Sequence, residues 1–269
     1  MKVACFVVLL AAVACANPLK PAVDVTPFII GGSNATENSA PYLVSLSISS
    51  IAYAHGCAGT IIGKEWVLTA AHCVNEMKDL AGDIVGLPVY AGLTDRTNLA
   101  DAQVRTVDFA FNHKKFNNLE GSDDIALLHV TPAFEFTGKV QPAALPAFKE
   151  SYEGAISANY GWGVNDAEAT LYVDKLQVSK ATILPLEECK ESLPMDAPVT
   201  DKHICVNIIA CYGDGGSPLV VERGVAELAG ITSFGYLPCG YNNRPTIYTA
   251  VSHYIDWIAE VQWAFYTLH

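Results

Sequence analysis

Three separated segments of the chain carry the residue types that acyl-transfer chemistry uses. His72 stands beside a cysteine, Asp124 opens an apolar stretch, and residues 211–219 form a glycine-rich turn that leads into another apolar stretch. Attack of a hydroxyl on a carbonyl needs a base, an acid that orients the base, and backbone N–H groups that bind the oxyanion. His72 and Asp124 suit the first two tasks, and Gly213 and Gly215 suit the third. No hydroxyl stands at the position where this chemistry requires one.

Short strands separated by turn residues have to position these segments. Between residues 44 and 49 apolar residues alternate with serines, which is a period-two strand signal. Further strands are predicted at 66–68, 89–91, 125–130, 175–183, 219–221 and 247–249. Strands at such intervals predict a sandwich or a barrel. Only residues 254–265 show helical spacing, with Ser252 available as an N-cap, so one amphipathic helix is expected to close the chain.

The length and charge of the chain limit what it does. Its 269 residues are normal for an all-β double barrel. Lys and Arg total 16 against 28 Asp and Glu, and an acidic surface of this kind repels phosphate backbones. Nucleic acid is therefore excluded as a partner.

The N-terminal residues 1–16 have the pattern of a secretory signal peptide. A lysine follows the first methionine, an apolar run too short to span a bilayer comes next, and small residues end at Ala16. Residues 17–28 contain three prolines and are predicted to be a non-helical pro-segment. No later stretch is apolar for 18 residues, so we expect a secreted protein that does not insert into a membrane.

Six of the eight cysteines remain once a signal peptide has left. They are Cys57, Cys73, Cys189, Cys205, Cys211 and Cys239. An even number in an oxidising compartment implies three disulfides, although many pairings are open. Zinc is the competing interpretation, but the spacings are too long for two-residue ligand pairs, so no metal or cofactor is expected. The single Asn-x-Thr sequon makes Asn34 a candidate glycosylation site.

Over residues 29–269 the chain resembles the chymotrypsin/trypsin family of serine proteases. The landmarks stand in family order: IIGG at 29–32, LTAAHC at 68–73, DIALL at 124–128, GWG at 161–163, GD at 213–214 followed by PL at 218–219, and SFG at 233–235. The resemblance implies an all-β fold of two six-stranded antiparallel β-barrels with a C-terminal α-helix and the site in the cleft between the barrels. It also implies the disulfides Cys57–Cys73, Cys189–Cys205 and Cys211–Cys239.

The resemblance extends to activation. It implies that Ile29 becomes a new N-terminus, whose amine pairs with the Asp214 carboxylate and orders the oxyanion turn. The start of the chain up to this point is similar to the mite group 3 trypsin-like allergens. Phe28 stands where trypsin would need Arg or Lys, so trypsin is not expected to be the activator.

One departure from the family pattern decides the expected activity. The family turn reads GDSGGP and this chain reads GDGGSP, so Gly215 takes the place of the nucleophile. Loss of the nucleophile lowers kcat by roughly 10^6-fold in subtilisin. Ser217 lies about 6–7 Å further along an extended backbone, whereas reacting atoms must lie within about 3.5 Å, so we do not expect it to substitute. His72 and Asp124 are then triad remnants, as in the scabies mite inactivated protease paralogues.

The specificity pocket has changed as well. Ile209 falls at the pocket base, where trypsin-like members carry an aspartate. Thr246 stands in place of a wall-forming glycine, and its branched side chain is expected to narrow the pocket; the alternative is an altered but open apolar pocket. Tyr212 is expected at the cleft entrance, and Ser233 and Gly235 belong to the same pocket by resemblance.

These residues favour a secreted, catalytically inactive homologue that acts by binding proteins. By resemblance to the gut-secreted scabies mite paralogues, the expected partners are host proteins, including complement components, and the protein is expected to be a monomer. One alternative is an active chymotrypsin-like endopeptidase, against which Gly215 argues directly. The other is a non-catalytic cofactor that docks on an active protease.

Overall fold

A computed structural model describes residues 32–50, 52–78, 83–118, 121–164 and 171–268. The strands are β1 Ser33–Asn34, β2 Leu43–Ser47, β3 His55–Gly63, β4 Trp66–Thr69, β5 Pro88–Ala91, β6 Gln103–Asn112, β7 Ala126–Thr131, β8 Ile156–Gly161, β9 Gln177–Thr182, β10 His203–Val206, β11 Pro218–Glu222, β12 Ala226–Phe234 and β13 Thr246–Ala250. The helices are α1 Ala71–Glu76, α2 Leu186–Glu191 and α3 Ile255–Leu268. The expected signal peptide, the pro-segment and Ile29 lie outside the described residues.

The first half of the chain closes into a six-stranded antiparallel barrel in the order β2-β3-β4-β7-β6-β5. In strand β2 the burial of the side chains differs from what the alternating sequence pattern indicates. The alternation predicts one polar face, yet Ser45 and Ser47 are fully buried. Ser45 Oγ is hydrogen-bonded to Tyr53 and His55, which satisfies the hydroxyl inside the protein. Ile48, at the end of the alternating pattern, lies beyond the strand and is exposed.

The second half forms a sheet in the order β1-β9-β8-β11-β12-β13-β10. Strands β8 to β13 correspond to the predicted second barrel, and β1 is added at the edge. A single antiparallel bridge, Ile183 to Val206, links the β9 end of the sheet to β10. The all-β class with a C-terminal helix is confirmed, with one closed barrel and one half-barrel.

The C-terminal helix packs on the first barrel through its own aromatic residues. The Phe265 ring lies 4.1 Å from that of His129 and 5.3 Å from that of Trp66. The predicted N-cap is wrong: Ser252 lies in a 3-10 turn, Val251–His253, and its Oγ donates to the Glu150 carbonyl. The two short helices α1 and α2 were not predicted.

All three disulfides implied by the family resemblance are confirmed. Cys57–Cys73 joins β3 to α1, and Cys189–Cys205 joins α2 to β10. Cys211–Cys239 ties the glycine-rich turn to the loop that follows β12. Two of the three bonds therefore hold the segments that carry the candidate catalytic residues.

Candidate active site

His72 and Asp124 meet between the two sheets. Helix α1 begins directly after β4 and carries His72, while Asp124 lies just before β7, the neighbour of β4 in the barrel. His72 Nδ1 lies 2.7 Å from Asp124 Oδ2, and the His72 backbone N–H donates to Oδ1 at 2.9 Å. Ser233 Oγ also donates to Oδ2, at 2.5 Å. Because the carboxylate only accepts, Nδ1 carries the proton and Nε2 points toward the cleft.

The electrostatics of the pair follow from this geometry. Burial works against the charged imidazole, but the hydrogen bond and the charge of Asp124 outweigh it and raise the pKa of His72 above its ordinary value. Burial likewise works against the Asp124 carboxylate, and the hydrogen bonds from His72 and Ser233 lower its pKa overall. Each partner stabilises the charged form of the other.

The glycine-rich turn needs glycine at two of its positions. Gly213 and Gly216 have φ of 92° and 76°, in the left-handed region. A Cβ on Gly216 would lie 2.2 Å from the Ala58 carbonyl oxygen. The Ala58 N–H donates to the Gly215 carbonyl at 2.8 Å, which ties the turn to β3. No hydrogen bond within the described residues uses the N–H of Gly213 or Gly215.

A buried histidine braces the turn from behind. His55 Nε2 donates to the Gly213 carbonyl at 2.9 Å, and His55 Nδ1 accepts from Ser45 Oγ at 2.7 Å. Burial lowers the pKa of His55 to about 4 despite the hydrogen bond to Gly213, so the ring is neutral near pH 7. The Tyr172 ring packs over the same glycine: a Cβ added to Gly213 would lie 2.7 Å from this ring. Sequence reasoning missed this brace, which joins residues 158 positions apart.

At Gly215 the constraint is space and not backbone conformation. Its φ lies outside the left-handed region, so other residues fit the backbone. A Cβ at this position would lie 2.6 Å from His72 Nε2 and 3.2 Å from Cys73 Sγ. The imidazole and the Cys57–Cys73 disulfide therefore occupy the room that a side chain at 215 would need.

Asp214 turns its carboxylate away from the cleft into the protein. Its two oxygens accept N–H groups from Gly163 at 2.9 Å and from Cys211 at 3.0 Å. Burial raises the pKa of Asp214 to about 6, although these hydrogen bonds act in the opposite direction. Added side chains at Gly161 or Gly163 would collide with this carboxylate. Among the described residues no cation pairs with it, and Ile29, the expected partner, lies outside them.

A cavity of about 320 Å³ extends from His72 and Gly215 to Thr246. Thr246 Oγ1 donates to the Ile208 carbonyl at 2.6 Å and accepts the Ala210 N–H at 3.0 Å, so its hydroxyl faces the backbone. Thr246 lines the cavity without filling it. The open-pocket alternative fits this geometry better than the expected narrowing.

The other residues expected in the pocket divide into two groups. Tyr212, Ser233 and Gly235 line the cavity, and Tyr212 is more than half exposed. Ile209 is not among the lining residues, because its side chain packs beside Gly240, and its neighbour Ala210 lines the cavity instead. The cavity also includes Glu76 and Phe116, which the sequence did not single out because they lie in no recognised motif.

The remaining candidates lie away from the cleft. Ser217 is fully buried, does not line the cavity, and has its Oγ 3.2 Å from where a Cβ of Gly161 would stand, on the Asp214 side of the turn. Asn34 is exposed on β1, and its Oδ1 accepts from Gln177 Nε2 at 2.9 Å.

A cluster of potential metal ligands adjoins the cleft. Ligand atoms of Cys57, His72 and Cys73 lie within 4.8 Å of one another. The two sulfurs are joined in a disulfide, so neither is the thiolate that a metal would need. In the described part of the chain, no helix is both long and apolar enough to cross a membrane.

A family model described as Trypsin matches residues 29–258. Trypsin II-P29 of Gallus gallus is 34% identical over 240 residues, which cover 86% of this chain and 88% of that protein. Lectizyme of Glossina austeni is 32% identical over 252 residues, covering 86% and 85%. Coagulation factor XI of Bos taurus is 32% identical over 245 residues, covering 86% of this chain and 37% of the larger protein.

Proposed function

Because the chain belongs to the trypsin family of serine proteases and carries Gly215 where the family nucleophile stands, we propose that it binds proteins in its cleft without cleaving them. The observation that carries this proposal is the 2.6 Å between His72 Nε2 and the position of a Cβ at 215. The base of the triad faces a bare backbone, and the space in which a nucleophilic oxygen would sit is reduced.

Neither nearby serine hydroxyl is a good substitute for the nucleophile. Ser217 is buried on the Asp214 side of the turn and does not reach the cavity. Ser233 lines the cavity, but its hydroxyl already donates to Asp124. An acyl-enzyme needs an oxygen that His72 Nε2 can deprotonate within about 3.5 Å of the substrate carbonyl. An active endopeptidase is therefore the weaker interpretation.

The rest of the cleft supports binding. The cavity is open, the turn is braced by His55, and the N–H groups of Gly213 and Gly215 are unused among the described residues. We would not expect the glycine-rich turn and the cavity to stay ordered in a protein whose cleft binds nothing. Retained order without a nucleophile favours a ligand that is held and not hydrolysed.

The location and the partners of the protein are further parts of what we propose. We infer that residues 1–16 are a signal peptide, 17–28 a pro-segment and 29–269 the protease-like domain of a secreted monomer. Three disulfides support an oxidising compartment. The likeness to mite group 3 allergens and to the scabies mite inactivated paralogues suggests the gut lumen as the site of action. It also suggests host complement components as partners.

Two assays test the proposal separately. Processed protein, starting at Ile29, is incubated with casein, and new peptide termini are followed by mass spectrometry beside an active trypsin. We expect none above background, and turnover that disappears with a serine-directed inhibitor would refute the non-cleaving assignment. Complement-mediated lysis is then measured with and without the protein. An unchanged lysis curve over a wide dose range would remove the complement role and leave the first conclusion standing.

A further inference from the structure

We propose that the first barrel binds a zinc ion where it meets the C-terminal helix, with His129 Nε2 and Glu65 Oε2 as the two protein ligands. His129 lies on β7, and Glu65 lies in the turn between β3 and β4. Neither residue lines the cavity that contains His72. The inference therefore goes beyond the proposed function and does not depend on it.

Asp108 determines which nitrogen of His129 is free to bind a metal. This aspartate lies on β6, and its Oδ1 is 2.7 Å from His129 Nδ1. Because a carboxylate only accepts, Nδ1 carries the proton, and Nε2 of the neutral ring has a lone pair. A histidine that binds a metal commonly donates its other N–H to a carboxylate, which fixes the ring and makes the free nitrogen a better ligand.

The free nitrogen of His129 faces a second carboxylate across a gap that suits a metal ion. Nε2 lies 3.8 Å from Glu65 Oε2, which is too long for a hydrogen bond between them. Zinc binds an imidazole nitrogen at about 2.0–2.1 Å and a carboxylate oxygen at about 2.0–2.2 Å. An ion between the two atoms therefore reaches both of them with ordinary bond lengths.

The charges around the ring favour a divalent cation. Asp108 and Glu65 face the imidazole, and in the described part of the chain neither carboxylate forms an ion pair with a lysine or an arginine. Tyr266 on α3 also faces the site, because its hydroxyl donates to Glu65 Oε2 at 3.0 Å and accepts from Trp66 Nε1 at 3.0 Å. These contacts orient Glu65 without neutralising it.

Aromatic packing holds the imidazole while the two carboxylates remain accessible. The Phe265 ring lies 4.1 Å from the His129 ring, with the two planes inclined by 30°, and Trp66 packs on the same imidazole at 4.9 Å. The stacked phenyl ring covers a face of the imidazole, whereas the lone pair of Nε2 lies in the ring plane. The side chains of Asp108 and Glu65 are 31% and 37% exposed, so an ion and its water ligands can enter.

The two ligand atoms select the kind of metal. One imidazole nitrogen and one carboxylate oxygen suit zinc, whereas magnesium prefers oxygen ligands alone. Two protein ligands leave the other coordination positions to water. We therefore expect reversible binding, weaker than that of a structural site with four protein ligands.

The test is calorimetric titration of the untagged protein with zinc chloride near neutral pH, with magnesium chloride in a parallel titration. We expect one zinc ion per chain at this site, with a dissociation constant below about 1 mM, and no matching signal with magnesium. Zinc is also expected to raise the Tm, because an ion that binds only the native state stabilises it.

Three variants identify the site. His129→Gln removes the nitrogen ligand and is expected to abolish this binding event and the rise in Tm. Asp108→Asn keeps both ligands but weakens the acceptor for Nδ1, and is expected to reduce the zinc affinity about 10- to 100-fold. His253→Gln is the matched control, because it removes a partly exposed histidine outside the site, and it should bind zinc as the native chain does.

Four results would overturn the zinc site. They are the absence of zinc binding to the native chain, an equal response to magnesium, unchanged zinc binding in His129→Gln, and unchanged affinity in Asp108→Asn. The last comparison decides the matter if His129→Gln does not fold, because Asp108→Asn retains the imidazole between its aromatic neighbours.

Discussion

The His72 imidazole lies next to Gly215 and occupies space that the side chain of a nucleophile at position 215 would need. The Asp124 carboxylate holds one ring nitrogen at 2.7 Å, while the other nitrogen lies 2.6 Å from where a Cβ at 215 would stand. Restoring a hydroxyl therefore means moving a ring that is hydrogen-bonded to Asp124, and Asp124 is itself held by the His72 backbone N–H and by Ser233. The proposed lack of cleavage therefore rests on two features, the missing oxygen at 215 and the small space beside His72 Nε2.

We predict that Gly215→Ser alone does not restore the activity of an ordinary family member. Its kcat/KM on peptide substrates is expected to remain at least about 100-fold below that of trypsin, because an error of about 1 Å in position costs about that much. Gly215→Ala, which adds the same Cβ without the hydroxyl, sets the background. Peptide cleavage by Gly215→Ser at trypsin-like rates would mean that the His72 imidazole moves away from position 215 without cost.

A second prediction concerns Thr246 as a structural residue of the pocket. Thr246→Val removes the hydroxyl that joins the buried Ile208 carbonyl to the part-buried Ala210 N–H, and leaves both groups without that partner. The free energy of unfolding is expected to fall by about 2 kcal/mol, measured by urea denaturation. Thr246→Ser keeps the hydroxyl and serves as the control, with a loss of about 1 kcal/mol. Equal stability of the Val variant and the native chain would show that the two hydrogen bonds of the Thr246 hydroxyl contribute nothing to the free energy of unfolding.

Among the elements, the glycine-rich turn depends most on contacts from other parts of the chain. It is held by His55 on β3, by Ala58 on the same strand, and by the N–H of Gly163 after β8. Its buried carboxylate, Asp214, has a pKa of about 6 against an ordinary 3.8. While no cation faces it, the native state binds more protons than the unfolded state between these values, so stability falls as the pH rises from 3.8 to about 6.

Processing at Ile29 is predicted to reverse this dependence. If the new amine pairs with Asp214, the processed chain gains stability where the carboxylate is ionised and none where it is protonated. Thermal unfolding should therefore give a higher Tm for the processed than for the unprocessed chain at pH 7.5, and equal values near pH 4. Asp214→Asn should remove the difference at pH 7.5. A difference that persists in this variant would place the effect of processing elsewhere.

The C-terminal helix is predicted to be anchored by one aromatic residue. Phe265 is buried against the rings of His129 and Trp66, so Phe265→Ala is expected to lower the free energy of unfolding by about 3–5 kcal/mol. Tyr266 is the comparison: its hydroxyl accepts from Trp66 Nε1 and donates to Glu65, yet its side chain is largely exposed. Tyr266→Phe should cost only about 1 kcal/mol. Similar losses in the two variants would contradict an anchor at 265.

Across the chain, the features read correctly from the sequence are those with local or family-wide signals. Alternating residues located β2, and the motifs around His72 and Asp124 indicated a pair that the fold brings together at 2.7 Å. The disulfides followed from the family resemblance and are all formed.

The features that the sequence did not predict depend on long-range packing. The His55 brace spans 158 positions, and no local pattern marks it. Both faces of β2 are buried, and the alternating pattern did not show that partners elsewhere in the fold satisfy the hydroxyl of Ser45. The direction of two neighbouring pocket side chains was also undetermined, so Ile209 was expected where Ala210 lines the cavity.

The proposed function requires that no oxygen in this cleft attacks an acyl or phosphonyl group. The most direct measurement is the intact mass of the processed protein after prolonged exposure to a fluorophosphonate, with active trypsin treated in parallel. We predict complete labelling of trypsin and an unchanged mass for this chain. A stoichiometric adduct on Ser217, or on Ser233 or any other hydroxyl that lines the cavity, would show that the cleft retains a working nucleophile.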